Sequence, residues 1–192
     1  MPMKVAAIIG GCVAVAVAGG LALAFPDKVA IHGWMPALRV GAYFGLLSFT
    51  LVSAFRAGGG PERLAVAIIV VQAVADLAGH SLLRRQVAHA DPLHLFLDSV
   101  VLVAFVAIAL RANRFWTLCL SAMQFIMVLA HLARALDAQL LPAAYQIMQT
   151  AWSYVQLALI AGGTWTHQRR LTSRGADPSW RSSSRPSTPP PN

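Results

Sequence analysis

Gln72, Asp76 and His80 recur at four-residue spacing within QAVADLAGH, inside an apolar run from about 64 to 83. On a helix this spacing places an amide, a carboxyl and an imidazole along one face. An acid in the middle of an apolar helix costs about 2.5–3.5 kcal/mol on insertion scales, so Asp76 calls for a partner inside the protein. His94 and Asp98 repeat the i, i+4 arrangement at the start of the next apolar run, and His131 closes the one after it. Two carboxylates and three imidazoles are a donor set suited to a first-row transition metal. Asp76, His80, His94, Asp98 and His131 are therefore the candidate metal ligands. His80 with His131 is the axial pair that a haem would need. Neither carboxylate–imidazole pair is a specific metal signature such as HExxH. The competing reading is a hydrogen-bonded network joining helices, with contacts worth about 0.6 kcal/mol each; a third is a path for protons or substrate.

Further polar groups extend the pattern. Gln124 lies in the run that ends at His131, while Gln146, Gln149, Ser153 and Gln156 form a stripe along the last apolar run. Glutamine does not titrate, so these residues suit inter-helix bonding or the wall of a wet cavity. Ser153 has no GxSxG context, which argues against a serine hydrolase. Cys119, Met123 and Met127 also share a face; methionine at helical spacing is more often adaptable packing than a copper site.

The elements that hold these groups follow from composition. Of 192 residues, 57% are hydrophobic and 11% are charged, against about 25% charged in soluble domains. Apolar runs near 20 residues recur, at about 5–25, 37–55, 64–83, 93–110, 115–132 and 143–164. They are too long and too uniform for alternating barrel strands. The fold class expected is all-α, a polytopic transmembrane helical bundle of about six spans over residues 1–165. It has five spans if the first is a cleaved signal, and the length of that run favours retention. Ala6, Gly10, Ala14, Ala18 and Ala22 in the first run, with Ala37, Gly41 and Gly45 in the second, form small-residue stripes suited to close helix packing. Arg111–Arg114 reads as a tight hairpin between antiparallel neighbours. Residues 166–192, rich in Arg, Ser and Pro, read as a disordered basic tail.

The net charge of +8 resides at helix ends and in this tail. That distribution points to membrane topology and to anionic lipid rather than to nucleic acid. Cation counting favours both termini in the cytoplasm of a bacterial inner membrane. Counting helical rise from the flanking charges then places Asp76, His80, His94, Asp98, His131, Gln146 and Gln149 in one leaflet, toward the periplasm. Together these features suggest a non-enzymatic accessory or small binding protein, with a membrane-protein partner or a second copy as candidate associates. The alternatives are a metal- or haem-binding oxidoreductase or electron carrier and a small proton-coupled transporter.

Overall fold

A computed structural model of the chain describes residues 34–83, 92–136 and 142–181, with several positions between 4 and 18. Those early positions are helical, in a segment designated α1. The remaining helices are α2 (Met35–Ala57), α3 (Gly60–Leu83), α4 (Pro92–Arg111), α5 (Phe115–Leu136) and α6 (Pro142–Arg174). Among the described residues there is no strand, and the protein is all-helical. Three helices, α2, α4 and α5, are long and apolar enough to cross a membrane.

The helices form a ring. Each of α2 to α5 packs on its successor, α6 closes on α2, and α3 also meets α6. The shared core is built from Val66, Phe105, Leu120, Leu157 and Ile160, each at most 1% exposed. The outward faces are equally apolar, with Val71, Leu77, Phe96, Val103, Leu110 and Phe115 all exposed. Apolar groups on both faces of a helix suit a lipid surround, where outward burial is unnecessary.

The small-residue stripes meet as their spacing predicts. A Cβ at Gly45 would lie 2.6 Å from the Gly10 carbonyl oxygen, and one at Gly10 would lie 2.9 Å from Phe49 Cβ. A Cβ at Gly41 would stand against Ala14 and Ala18. Gly10 thus faces Gly45 while Ala18 faces Gly41, so α1 and α2 run antiparallel with Lys4 toward the Arg56 end. Ala6 and Ala22 lie outside the described residues. Gly45→Val should part these helices at a cost of about 1–3 kcal/mol. Gly11→Val, where a Cβ meets nothing within 4 Å, should leave the melting temperature of the purified protein unchanged.

Two connections are decided by close approach. Between α2 and α3, Gly58 has φ −91°, so its conformation does not require glycine. Room does: a Cβ at Gly60 would meet the Trp180 indole at 2.7 Å, and one at Gly59 would clash with Ser179. The Arg111–Arg114 hairpin forms as expected, and Thr117 Oγ1 donates to the Arg114 carbonyl at 2.6 Å to start α5.

The last helix departs from the sequence reading. It does not stop near Thr164 but continues to Arg174, where Gly175 (φ 72°) ends it. Residues 176–181 then return across the bundle end as a strap. The amide of Asn113 donates to the Ser179 carbonyl at 3.1 Å, and that of Arg181 to the Arg111 carbonyl at 2.9 Å. Residues 166–174 are therefore helical and 176–181 pack on the hairpin, in a stretch whose composition alone suggested a tail. The physical reason is that Thr164, His167 and Gln168 keep one face of α6 toward the bundle. Thr164 is fully buried, and Gln168 donates to the Ala57 carbonyl. Residues 182–192 lie outside the described residues.

Candidate functional site

Two i, i+4 pairs cross between α3 and α4. Gln72 Nε2 donates to Asp98 Oδ1 at 2.6 Å, and His94 Nε2 lies 3.4 Å from Asp76 Oδ1. Residue 72 meets 98 and residue 76 meets 94, the register of two antiparallel helices facing each other with the same four-residue step. The result is a site in two tiers.

The inner tier is sealed. Asp98 is 3% exposed and His131 4%. Asp98 Oδ1 accepts from Gln72 and, at 3.0 Å, from Gln124 Nε2; Oδ2 faces His131 Nε2 at 2.8 Å. Gln124 Nε2 also donates to the Asp98 carbonyl at 3.1 Å, while its Oε1 accepts from Gln156 Nε2 at 2.8 Å. Gln156 in turn points its Nε2 at Met127 Sδ, 3.6 Å away. One carboxylate thus gathers polar groups from α3 and α5, and α6 joins through Gln156. A buried charge with both oxygens engaged meets the demand that low dielectric places on it.

The outer tier is open. The Asp76 and His94 side chains are each 29% exposed. They line a cavity of about 1130 Å³ whose apolar walls include Leu38, Phe44, Ile69 and Ala73, and whose floor is formed by Gln72, Asp98 and Gln156 of the inner tier. Arg39, Tyr43 and Tyr154 complete its polar rim. The two tyrosine rings meet edge to face at 6.0 Å, and Tyr154 Oη donates to the Arg39 carbonyl at 2.6 Å. The tiers touch where the His94 and His131 rings stack at 6.2 Å.

Four of the five candidate metal ligands are therefore brought together: Asp76, His94, Asp98 and His131. The side chain of His80 and those of Gln146 and Gln149 lie outside the described residues, as does any His80–His131 haem pair. Among the described residues no group of three His, Cys, Asp or Glu is arranged to hold a metal ion. The geometry explains this, because Asp98 already spends its oxygens on Gln72, Gln124 and His131. Gln156 joins the network through Gln124 and carries it onto α6. Sequence reasoning passed over Arg39, Tyr43 and Tyr154 as cavity residues. Their spacing carries no motif, and only the packing of α2 on α6 brings them together.

A second polar cluster sits at the opposite end of the bundle. Arg114, 6% exposed, places Nη1 2.5 Å from Asp177 Oδ2, Nη2 2.9 Å from His167 Nδ1 and Nε 3.6 Å from Glu62 Oε1. His167 Nδ1 lies 2.8 Å from Asp177 Oδ2. Neither Glu62 oxygen makes a hydrogen bond among the described residues, so Arg114 is its counter-charge. Burial pushes the Asp177 carboxyl up, but hydrogen bonds from His167 and Arg114 and the charges of Arg114 and Arg170 hold it below its usual value. This cluster fastens the strap and was invisible to a reading that took 166–192 as tail.

Between the two clusters the interior is mainly apolar, with the buried hydroxyls of Thr50, Ser53, Thr117 and Ser121 as polar groups among the described residues. Gln124 and Arg114 are ten residues apart along one stretch of chain, about 15 Å of helical rise. Leu120, Phe105, Leu157 and Ile160, all fully or almost fully buried, fill that interval. Compared with family profiles, with curated proteins and with solved structures, the chain matches none of them.

Proposed function

We infer that this is a multi-pass protein of a bacterial inner membrane, with both termini cytoplasmic, that binds a small molecule in the α2–α3–α4–α6 cavity without transforming it. The orientation is supported by the cations. Among the described residues Lys4, Arg56, Arg63, Arg111, Arg114, Arg169, Arg170, Arg174 and Arg181 gather at the strap end, against Arg39 and Arg134 at the cavity end, where the sequence adds Lys28, Arg84 and Arg85 to the connections. The excess marks the cytoplasmic face, and the cavity then opens on the periplasmic side. Helices α1, α3 and α6 serve as the further spans in this reading, making six.

The binding role rests on one observation: a cavity of about 1130 Å³ with apolar walls and an ionisable pair, Asp76 and His94, at its polar edge. That combination fits an amphiphilic ligand with a hydrogen-bonding head, because apolar walls supply area and a few placed polar groups fix orientation. The sealed inner tier holds α3, α4, α5 and α6 in position beneath it, as a preorganised site requires.

The test uses protein purified in lipid nanodiscs, extracted with organic solvent and analysed by mass spectrometry. Wild type should release a small molecule in near-stoichiometric amount, and Ala73→Trp, which fills the cavity, should release at least about tenfold less (about 1.4 kcal/mol of lost affinity). Equal amounts from both proteins, or none from wild type, would overturn the reading. A proton-coupled transporter is the second reading, favoured by the position of Asp76 and His94 on the cavity wall. The mainly apolar layer beneath the inner tier opposes it, and proton flux in proteoliposomes distinguishes the two. A visible absorption band or bound metal in the same preparation would instead support the oxidoreductase reading.

A further inference from the structure

At the strap end the folded chain separates its charges by sign. The two carboxylates present among the described residues there are withdrawn: Glu62 is fully buried, and the Asp177 side chain is 10% exposed. Both are turned onto Arg114. Six arginines, Arg56, Arg63, Arg111, Arg169, Arg174 and Arg181, are left exposed, and none has a carboxylate within ion-pair distance among the described residues. They come from α2, α3, α4, α6 and the strap, and so surround the bundle end.

Each sector of this ring also exposes apolar surface: Phe55 beside Arg56, Leu64 beside Arg63, Leu110 beside Arg111 and Trp180 beside Arg181. On α6 the Arg169 guanidinium lies 4.7 Å over the half-exposed Trp165 ring, one turn nearer the bundle centre. A lipid phosphate occupies the depth just outside such apolar and aromatic side chains. Helix-end complementarity accounts for Arg56, Arg111 and Arg174, which lie in last turns. It does not account for Arg63 at a helix start, for Arg181 in the strap, or for Arg169 stacked on an aromatic ring.

We propose that this arginine crown binds the phosphate headgroups of anionic phospholipids in the cytoplasmic leaflet as an annular lipid site. The binding element is the folded rim of the bundle, with the strap as part of it, rather than a disordered tail. Burying Glu62 and Asp177 against Arg114 removes the carboxylates that would otherwise compete with phosphate for the rim. A guanidinium supplies paired donors matched to phosphate oxygens.

The experiment measures selectivity between spin-labelled phosphatidylglycerol and phosphatidylcholine for purified protein in phosphatidylcholine vesicles. Reconstitution removes any contribution of these arginines to insertion in the cell. Wild type should prefer phosphatidylglycerol by about fivefold or more, given about 1 kcal/mol per cation near the surface. The preference should fall toward unity in a variant with all six arginines changed to glutamine, and in wild type on raising sodium chloride from 0.05 to about 0.5 M, where screening shortens to a few ångströms. Arg39→Gln, at the other end, should retain it. The salt titration needs no variant, so a glutamine variant that fails to fold leaves the test intact. No preference in wild type, a preference indifferent to salt, or one abolished by Arg39→Gln would overturn the proposal. Salt-sensitive binding of a poly-uridylate RNA without lipid selectivity would also overturn it, assigning the surface to a soluble polyanion.

Discussion

Arg114→Ala should destabilise the purified protein by about 3–5 kcal/mol, the range for removing one partner from a buried ion pair. Two carboxylates lose their counter-charge together: Glu62, which has no hydrogen bond of its own among the described residues, and Asp177, which holds the strap. Hydrogen exchange at the Asn113 and Arg181 amides, both bonded between strap and hairpin, should accelerate in step. Arg114→Met with Glu62→Gln should recover part of the loss, because the costly state is the unmatched buried charge rather than the missing attraction.

Acid should weaken the same strap. The Asp177 carboxyl is held below its usual value in the folded protein, so its contribution is complete above the unfolded carboxylate value of about 3.9 and declines as pH falls through the lower folded value. In Arg114→Ala the strap should open at a higher pH than in wild type. An exchange profile identical in the two proteins would show that Arg114 does not anchor it.

Asp98→Ala should cost about 2–3 kcal/mol, read from unfolding in mixed detergent micelles. Interactions of this kind within membranes average about 0.6 kcal/mol, and Asp98 makes four of them, to Gln72, His131 and twice to Gln124. One of these uses its backbone carbonyl and survives the change, but the stranded buried donors add about 1 kcal/mol or more. Asp98→Asn keeps an acceptor for the glutamines and should cost about 1 kcal/mol. Asp76→Ala, at the partly exposed pair with His94, should cost no more than about 1 kcal/mol while removing ligand from the cavity. This contrast separates fastening from binding. Equal destabilisation by Asp98→Ala and Asp76→Ala would contradict the two-tier arrangement.

The polar site was legible in part. Gln72, Asp76, His94 and Asp98 stand out because a charged or amide group in an apolar helix is costly, and four-residue spacing places each pair on one face before any partner is known. The depth estimate brought His131 into the same leaflet, because helical rise converts sequence separation directly to distance. Neither argument could divide the cluster into a sealed carboxylate and a partly exposed one. Asp98 and Asp76 look alike in sequence, and their difference arises from Gln124 and His131 on α5 burying Asp98 at the cavity floor while Asp76 stays partly exposed on its wall. The strap was illegible for a related reason. Arg, Ser and Pro composition reports low apolar content, but Asp177 and Trp180 are held by Arg114 and Gly60, contacts that span more than 60 residues of chain.

What the chain determines on its own is local and periodic. Apolar runs of about 20 residues make helices, small residues at four-residue spacing make a close α1–α2 seam, and polar pairs one turn apart share a face. These follow from backbone hydrogen bonding and the 3.6-residue turn, which act within a few residues. Tertiary structure alone decided that residue 72 meets 98 and residue 76 meets 94, that Asp98 is sealed and Asp76 partly exposed, and that two acids turn inward so six arginines face out. Those outcomes depend on the register and rotation of helices packed side by side. They are set by the fit of whole surfaces, to which no single spacing is a guide.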